Sequence, residues 1–327
     1  MKYRILGKTG FKVSEVGFGA WGIGGGMWGS VSAEESLKAL HKAYALGVNF
    51  YDTAWVYGDQ KTRDGQSEKL VGRFAKEVGR DKVYIASKVP PMNFTWPARP
   101  GVVASQVFPK NWIVGKVNDS LSRLNIDCLD LMQFHVWQDS FVEEDEWKNA
   151  LQDLTKEGKV KFWGLSLNDY QPDNCKKTIE TGLISSVQLI FNIFHQMPTA
   201  MFPFYKEHNV GVIARVPLDE GGLTGNINEE TVFPPGDFRS GYFGGKRKSE
   251  LVKRINELKG LLGDEAQDLS ELALRYILSF DEVSTVIPGM RSEAHCLANA
   301  MICDGRKLSN RLLQELKKFT WERNFYS

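Results

Sequence analysis

Short apolar, β-branched runs alternate with amphipathic helical patterns almost from one end of the chain to the other. Residues 15–19 (EVGFG) form the first run, followed by SAEESLKALHKAYALG, whose apolar positions recur at three- and four-residue spacing. Ser32 as N-cap with Glu35 three residues later predicts a capping box there. The strand pattern returns at 48–54, 82–88, 128–135, 159–166, 185–192, 210–216 and 283–289. Helical patterns lie between, at 67–79 (closed by Gly79), 111–125, 144–158, 171–182, 201–209, 248–260 and 269–279. Short buried strands separated by amphipathic helices specify a parallel sheet with right-handed crossovers. Eight such units without a linker or composition break predict a closed (β/α)8 barrel occupying 1–327 as one domain. Two segments fall outside the alternation: 2–14 reads as an N-terminal β-hairpin turning at Lys8-Thr9-Gly10, and 309–325 as a C-terminal helix. Two connections are long, 89–110 with its prolines and aromatics and 218–246 with its glycines, and such insertions usually serve the site.

Composition narrows the partners. The 327 residues carry 41 Lys and Arg against 40 Asp and Glu, a formal net charge of +1. Without a basic run there is no electrostatic case for nucleic acid or an anionic membrane as a main partner. Hydrophobic residues at 42% and charged residues at 25% describe a globular chain with a sizeable core. Cys128, Cys175, Cys296 and Cys303 form no C-x-x-C pair, so reduced, mostly buried thiols in a cytoplasmic protein are expected.

Two motifs promise more than they carry. Gly17-Phe-Gly19-Ala-Trp-Gly22 matches G-x-G-x-x-G, but the glycines that follow bar the helix a dinucleotide fingerprint requires. Gly164-Leu-Ser166-Leu-Asn168 lacks the last glycine of a nucleophile elbow. The five histidines have no metal-ligand spacing, so no metal site is expected.

Catalytic groups of a (β/α)8 barrel sit at the C-terminal ends of its strands. The second strand ends in Asp52 and runs on to Tyr57, the third ends in Lys88, and the fourth in His135. Singly, each has a plain structural use: a turn cap, a rim aromatic, a snorkelling amine, a core imidazole. Together they bring an acid, a phenol, an amine and an imidazole to one mouth. A phenol titrates near pH ~10; an ammonium beside it stabilises the phenolate, and a carboxylate keeps the amine charged. Tyr57 is thus expected to donate a proton, with Lys88 tuning it, Asp52 anchoring Lys88, and His135 orienting a carbonyl oxygen. The set contains no strong nucleophile, so the second reactant has to come from a cofactor, and hydride delivery to a carbonyl fits.

With DTAWVYG, IASK, LDLMQFH, WGLSLN, VQLIFN and VIPGMRS in place, the chain resembles the aldo-keto reductase family over nearly its whole length. The resemblance implies a barrel that binds NADP(H) across its mouth, with NAD(H) left open, and reduces a small-molecule aldehyde or ketone. It also implies that Asp52, Tyr57, Lys88 and His135 form the catalytic tetrad. Ala20 and Trp21 then approach the nicotinamide beside Asp52, and Gln188 and Ser166 hold its carboxamide. The family's asparagine usually follows that serine directly; here Leu167 intervenes before Asn168, leaving open which of the two positions makes that contact. Pro217, Leu218, Gly222, Leu223, Thr224 and Gly225 correspond to the loop over the pyrophosphate. Gly289, Met290, Arg291, Ser292, His295 and Asn299 correspond to the adenosine end, Arg291 suiting a 2′-phosphate.

Arg215 stands where the family commonly has an aromatic stacked on the nicotinamide. A guanidinium also stacks and would favour the neutral, reduced ring; alternatively it pairs with Asp219 or Glu220. Trp21, Trp28, Tyr57, Phe94, Trp96, His135 and Trp137, with Phe108, are expected to wall a pocket for an apolar or ring-bearing carbonyl; alternatively Trp96 and its proline neighbours only pack the loop onto the barrel rim. The rival reading is a nucleotide-sensing regulatory protein with the same barrel and little turnover, as some channel-associated relatives are. The complete tetrad favours the enzyme.

Overall fold

The computed structural model of the chain describes residues 1–29 and 31–321. In chain order the barrel strands are β1 (Phe18–Gly19), β2 (Phe50–Asp52), β3 (Tyr84–Val89), β4 (Leu129–Phe134), β5 (Val160–Ser166), β6 (Ile184–Ile190), β7 (Gly211–Arg215) and β8 (Val283–Val286). Each pairs in parallel with the next. The ends of the sheet meet through backbone hydrogen bonds. The Gly17 N–H donates to the Val286 carbonyl at 2.8 Å, Val286 N–H to Glu15 at 2.9 Å, and Gly19 N–H to Pro288 at 3.0 Å. A Cβ on Gly19 would lie 2.7 Å from the Ile287 carbonyl oxygen, so this seam requires glycine. The expected (β/α)8 barrel is the observed one.

Around it run α1 (Ala33–Ala45), α2 (Gln66–Val78), α3 (Lys110–Leu124), α4 (Glu146–Lys156), α5 (Lys176–Glu180), α6 (Phe202–Glu207), α7 (Arg247–Lys259), α8 (Leu269–Leu278), α9 (Glu293–Met301) and α10 (Asn310–Leu316). The capping box forms as expected, Ser32 Oγ accepting from the Glu35 N–H and the Glu35 carboxylate from the Ser32 N–H. Three elements depart from expectation. The 171–182 pattern yields only α5: the segment before it is a turn closed by Gln171, which accepts from Asn168 and Asn174, and Asn174 is drawn to Gln138 and the Asp139 N–H. α9 had no strong apolar periodicity to announce it. The C-terminal helix stops at α10 and a short turn, Lys317–Phe319; positions 322–325 of that expectation lie outside the described residues. Among the described residues no helix is long and apolar enough to cross a membrane.

Strand periodicity sets the interior. Alternate residues of a strand share one face. Phe50, Ala86, Leu131 and Ile213 form a separate buried cluster with Leu6 and Val13 of the hairpin, which plugs the barrel floor. Two residues further on, the same faces carry Asp52, Lys88, Gln133 and Arg215. Tyr51, Ile85, Met132 and Val212, on the opposite faces of these strands, join the larger core under the helices. The floor is therefore apolar and the mouth polar, one strand repeat apart. The hairpin strands Tyr3–Ile5 and Lys12–Ser14 pair antiparallel around a turn at Gly7–Thr9, with Gly10 at φ 71°. Arg4 fastens the hairpin, donating to Glu15 at 2.8 Å and to the carbonyls of Leu278, Phe280 and Val283 at 2.6, 2.7 and 2.8 Å.

Candidate active site

Asp52 and Lys88 face each other at the ends of adjacent strands, both essentially withdrawn from solvent. The Lys88 ammonium donates to Asp52 Oδ1 and, at 2.8 Å, to the Thr53 carbonyl. Asp52 Oδ2 accepts from Gln188 Nε2 at 2.7 Å and from Gln133 Nε2 at 3.1 Å. A buried carboxylate with a cation and two amide donors is a satisfied one. Burial pulls the Lys88 pKa down from its ordinary value, and the charge of Asp52 opposes that pull.

Tyr57 lies above this pair on the loop between β2 and α2, which Ser67 secures by donating its N–H to the Tyr57 carbonyl at 3.1 Å. The Lys88 Nζ stands 5.0 Å from the centre of its ring. Trp21 stacks on one side of that ring at 5.8 Å, and His135 meets it edge-on at 5.8 Å. Burial raises the Tyr57 pKa above its ordinary value, and the nearby Asp52 charge adds to the rise. This corrects the expectation of a phenol brought below its ordinary value by Lys88: in the unliganded site desolvation outweighs any help from the ammonium. The phenol is held protonated. Burial likewise drives the His135 pKa well below its ordinary value, with Lys88 and Arg215 pushing the same way, so the imidazole is neutral. Its Nδ1 is buried and meets no hydrogen-bond partner.

Aromatic groups wall and roof this mouth. Trp28 packs edge-on to Trp21 at 5.3 Å. The loop after β7 crosses the mouth and seats Phe238 5.5 Å from Trp21, with the Phe238 N–H donating to the Met27 carbonyl at 2.8 Å. Trp96, 40% exposed, stands edge-on to His135 at 5.9 Å. Phe94 is 6.0 Å from Trp96 and lies under the Arg63 guanidinium. Trp137 is not brought to the mouth. It is fully buried among Phe108, Phe134, Phe141 and Trp147, and its indole N–H is spent on Thr178. Phe108 is buried with it. Sequence reasoning passed over Gln133, Phe238 and Arg239. The first sits in register with Lys88 and was legible there; the other two come from the long loop and had no local signal.

The expected cofactor contacts separate into groups. Ser166 and Gln188 are buried in register on adjacent strands. Asn168 is turned away, its carboxamide engaged with the backbone of Ala98. Arg215 pairs with Asp169 at 2.6 Å and donates to the Leu167 carbonyl, while Asp219 is taken by Arg247 and Tyr242. Ala20, Pro217, Gly222, Leu223 and Met290 have buried side chains or none, so only their backbone can meet a ligand; Leu218, Thr224 and Gly225 are part-exposed. Gly289 and His295 are exposed, Ser292 caps α9, and Asn299 is buried in it. Arg291 folds back over Gly22 and donates to the Trp28 carbonyl at 2.6 Å. Burial lowers its pKa, as does the charge of Arg239, whose guanidinium lies 5.2 Å over Trp28. Arg239 is itself paired with Asp237 through Nε and Nη2 at 3.0 and 2.7 Å, which leaves Arg291 as the guanidinium suited to a polyanion at this rim, and the unmet Trp28 Nε1 and His135 Nδ1 mark polar positions left for a ligand.

Residues 15–320 match the aldo/keto reductase family. The chain is 30% identical to the aldo-keto reductase YhdN of Bacillus subtilis over 299 residues, covering 89% of this chain and 85% of that one. It is 27% identical over 304 residues to an NADH-specific methylglyoxal reductase of Escherichia coli, covering 88% of this chain and 89% of that one. Among solved structures it is similar to the glycerol dehydrogenase AKR11B4 from Gluconobacter oxydans. The TM-score is 0.78 at 26% identity, covering 97% of this chain and 94% of that one.

Proposed function

The chain belongs to the aldo/keto reductase family, and from that premise we propose that it reduces an aldehyde or ketone to the alcohol with NADP(H), Tyr57 acting as general acid. The observation that carries this is the buried Asp52–Lys88 pair beneath a protonated phenol and a neutral imidazole. The nicotinamide cofactor, when bound, supplies the hydride. Every other requirement falls to the chain. His135, neutral and facing Tyr57, offers a hydrogen bond that aims the substrate oxygen at the phenol. As negative charge grows on that oxygen, Tyr57 gives up its proton, and the Lys88 ammonium 5.0 Å from the ring stabilises the phenolate left behind. Asp52 holds Lys88 charged and in place. Trp21, Trp28 and Phe238 keep water from the proton's path.

Ser166 and Gln188 would hold the carboxamide, the 217–225 loop the pyrophosphate, and Ser292, His295 and Asn299 the adenosine end. Arg291 supports a 2′-phosphate and hence NADP(H); a relative named for NADH specificity keeps NAD(H) as the alternative. The test is NADPH consumption, followed at its absorbance band, against a panel of aldehydes and ketones. Tyr57→Phe is expected to lower kcat by about 10²–10⁴-fold while NADPH still binds. Full activity in that variant removes the acid role, and NADPH binding without turnover in the native chain indicates a sensor instead.

A further inference from the structure

The connection between β3 and α3 reaches over the mouth and carries Phe94 and Trp96, yet it has little regular structure beyond the turn Ala104–Val107. Its stem is anchored by Trp112 Nε1, which donates to the Pro90 carbonyl at 2.8 Å, and by the Met92 N–H on the Val107 carbonyl at 2.8 Å. Its tip is held by carboxamides. The Ala98 N–H donates to Asn168 Oδ1 at 3.2 Å, and Asn168 Nδ2 donates back to the Ala98 carbonyl at 3.1 Å, so one side chain pairs with both backbone groups of one residue. Gln138 Nε2 adds a bond to the same carbonyl at 2.6 Å. Asn174 links Gln138 Oε1 and Gln171 Oε1 at 2.8 and 2.7 Å, and Gln171 Oε1 also accepts from Asn168 at 3.0 Å. Both N–H groups of Asn168 are thereby committed, and the residue is 6% exposed. Trp96, two residues before Ala98, stands edge-on to His135.

We propose that Asn168 and Gln138 are positioning residues that determine substrate specificity. By fixing the backbone of Ala98 they hold Trp96 beside His135 as a rigid wall, and Asn168 is not a ligand of the nicotinamide carboxamide. The selected substrate class is a carbonyl bearing a flat apolar group, which lies between the Trp96 face and the Trp21–Trp28 side of the mouth. This rests on the carbonyl-reductase reading only for its kinetic arm.

Asn168→Ala and Gln138→Ala are each expected to raise KM for 4-nitrobenzaldehyde about tenfold relative to KM for propanal, within the range for lost pocket contacts. kcat for propanal and the NADPH dissociation constant, read by titration calorimetry, should stay within about twofold. Deuterium uptake in the peptide spanning 92–108 should rise in both variants, a readout that needs no turnover. Unchanged uptake in both overturns the proposal. So does raised uptake with an unmoved KM ratio, or weakened NADPH binding by Asn168→Ala with uptake unchanged, which would make Asn168 a cofactor ligand. If the native chain reduces neither aldehyde, the carbonyl-reductase reading fails. Uptake and NADPH affinity then still decide between clamp and cofactor ligand.

Discussion

His195 shows how far a single buried residue can couple this protein to pH. It is 5% exposed, its Nδ1 meets no partner, and burial, helped by the charge of Arg215, lowers its pKa to about 4. The folded chain therefore binds this proton only below about pH 4, whereas the unfolded chain binds it below about 6.5. As pH falls between those values the unfolded state gains a proton that the native state lacks, and stability drops by about 3 kcal/mol from this group. His195→Gln should flatten that part of the acid limb in urea unfolding midpoints measured from pH 7 to pH 4; an unaltered limb would show that the imidazole is hydrated. That Asp52, Tyr57, Lys88 and His135 meet at one mouth was legible at this scale because apolar runs mark where strands end. The direction of the Tyr57 shift was not. It depends on burial, which only the fold supplies.

Among the elements, those with large apolar residues at regular spacing were readable and those without were not. α9 buries Cys296, Asn299 and Ala300 and exposes Leu297 and Met301 at 45% and 68%, the reverse of the pattern that announces a helix. Its inner face is made of Cys296, Asn299 and Ala300 rather than large apolar side chains, so no apolar periodicity marked it in advance. Trp137 misled for a related reason: an aromatic after a catalytic strand end suggests a pocket wall, but the chain turns inward there to fill the space under α4. α1 lies at the other extreme, with a complete capping box. Ser32→Ala should cost about 1 kcal/mol, read as a lower midpoint in thermal or urea unfolding, with activity unchanged. A loss beyond about 2 kcal/mol would mean that Ser32 supports more than the cap.

For the whole molecule, the number and order of staves were written in the alternation of patterns, while the contacts that finish the barrel join segments with nearly the whole chain between them. Arg4 is the side-chain fastening of the floor. Arg4→Met strands Glu15 and three carbonyls in a largely dry site, and should cost about 3–5 kcal/mol. Adding Glu15→Gln should recover part of that loss in denaturant titrations; no recovery would assign the cost to the carbonyls alone. The backbone seam between β1 and β8 has a consequence for synthesis. The ribosome makes the first stave well before its neighbour, so while the other six are being made β1 is an open edge awaiting a partner. Such edges recruit other chains. At two residues, one of them the glycine the seam demands, β1 offers too little ladder to recruit anything before β8 arrives. The same brevity that makes the seam slight in the finished barrel keeps the nascent one to itself.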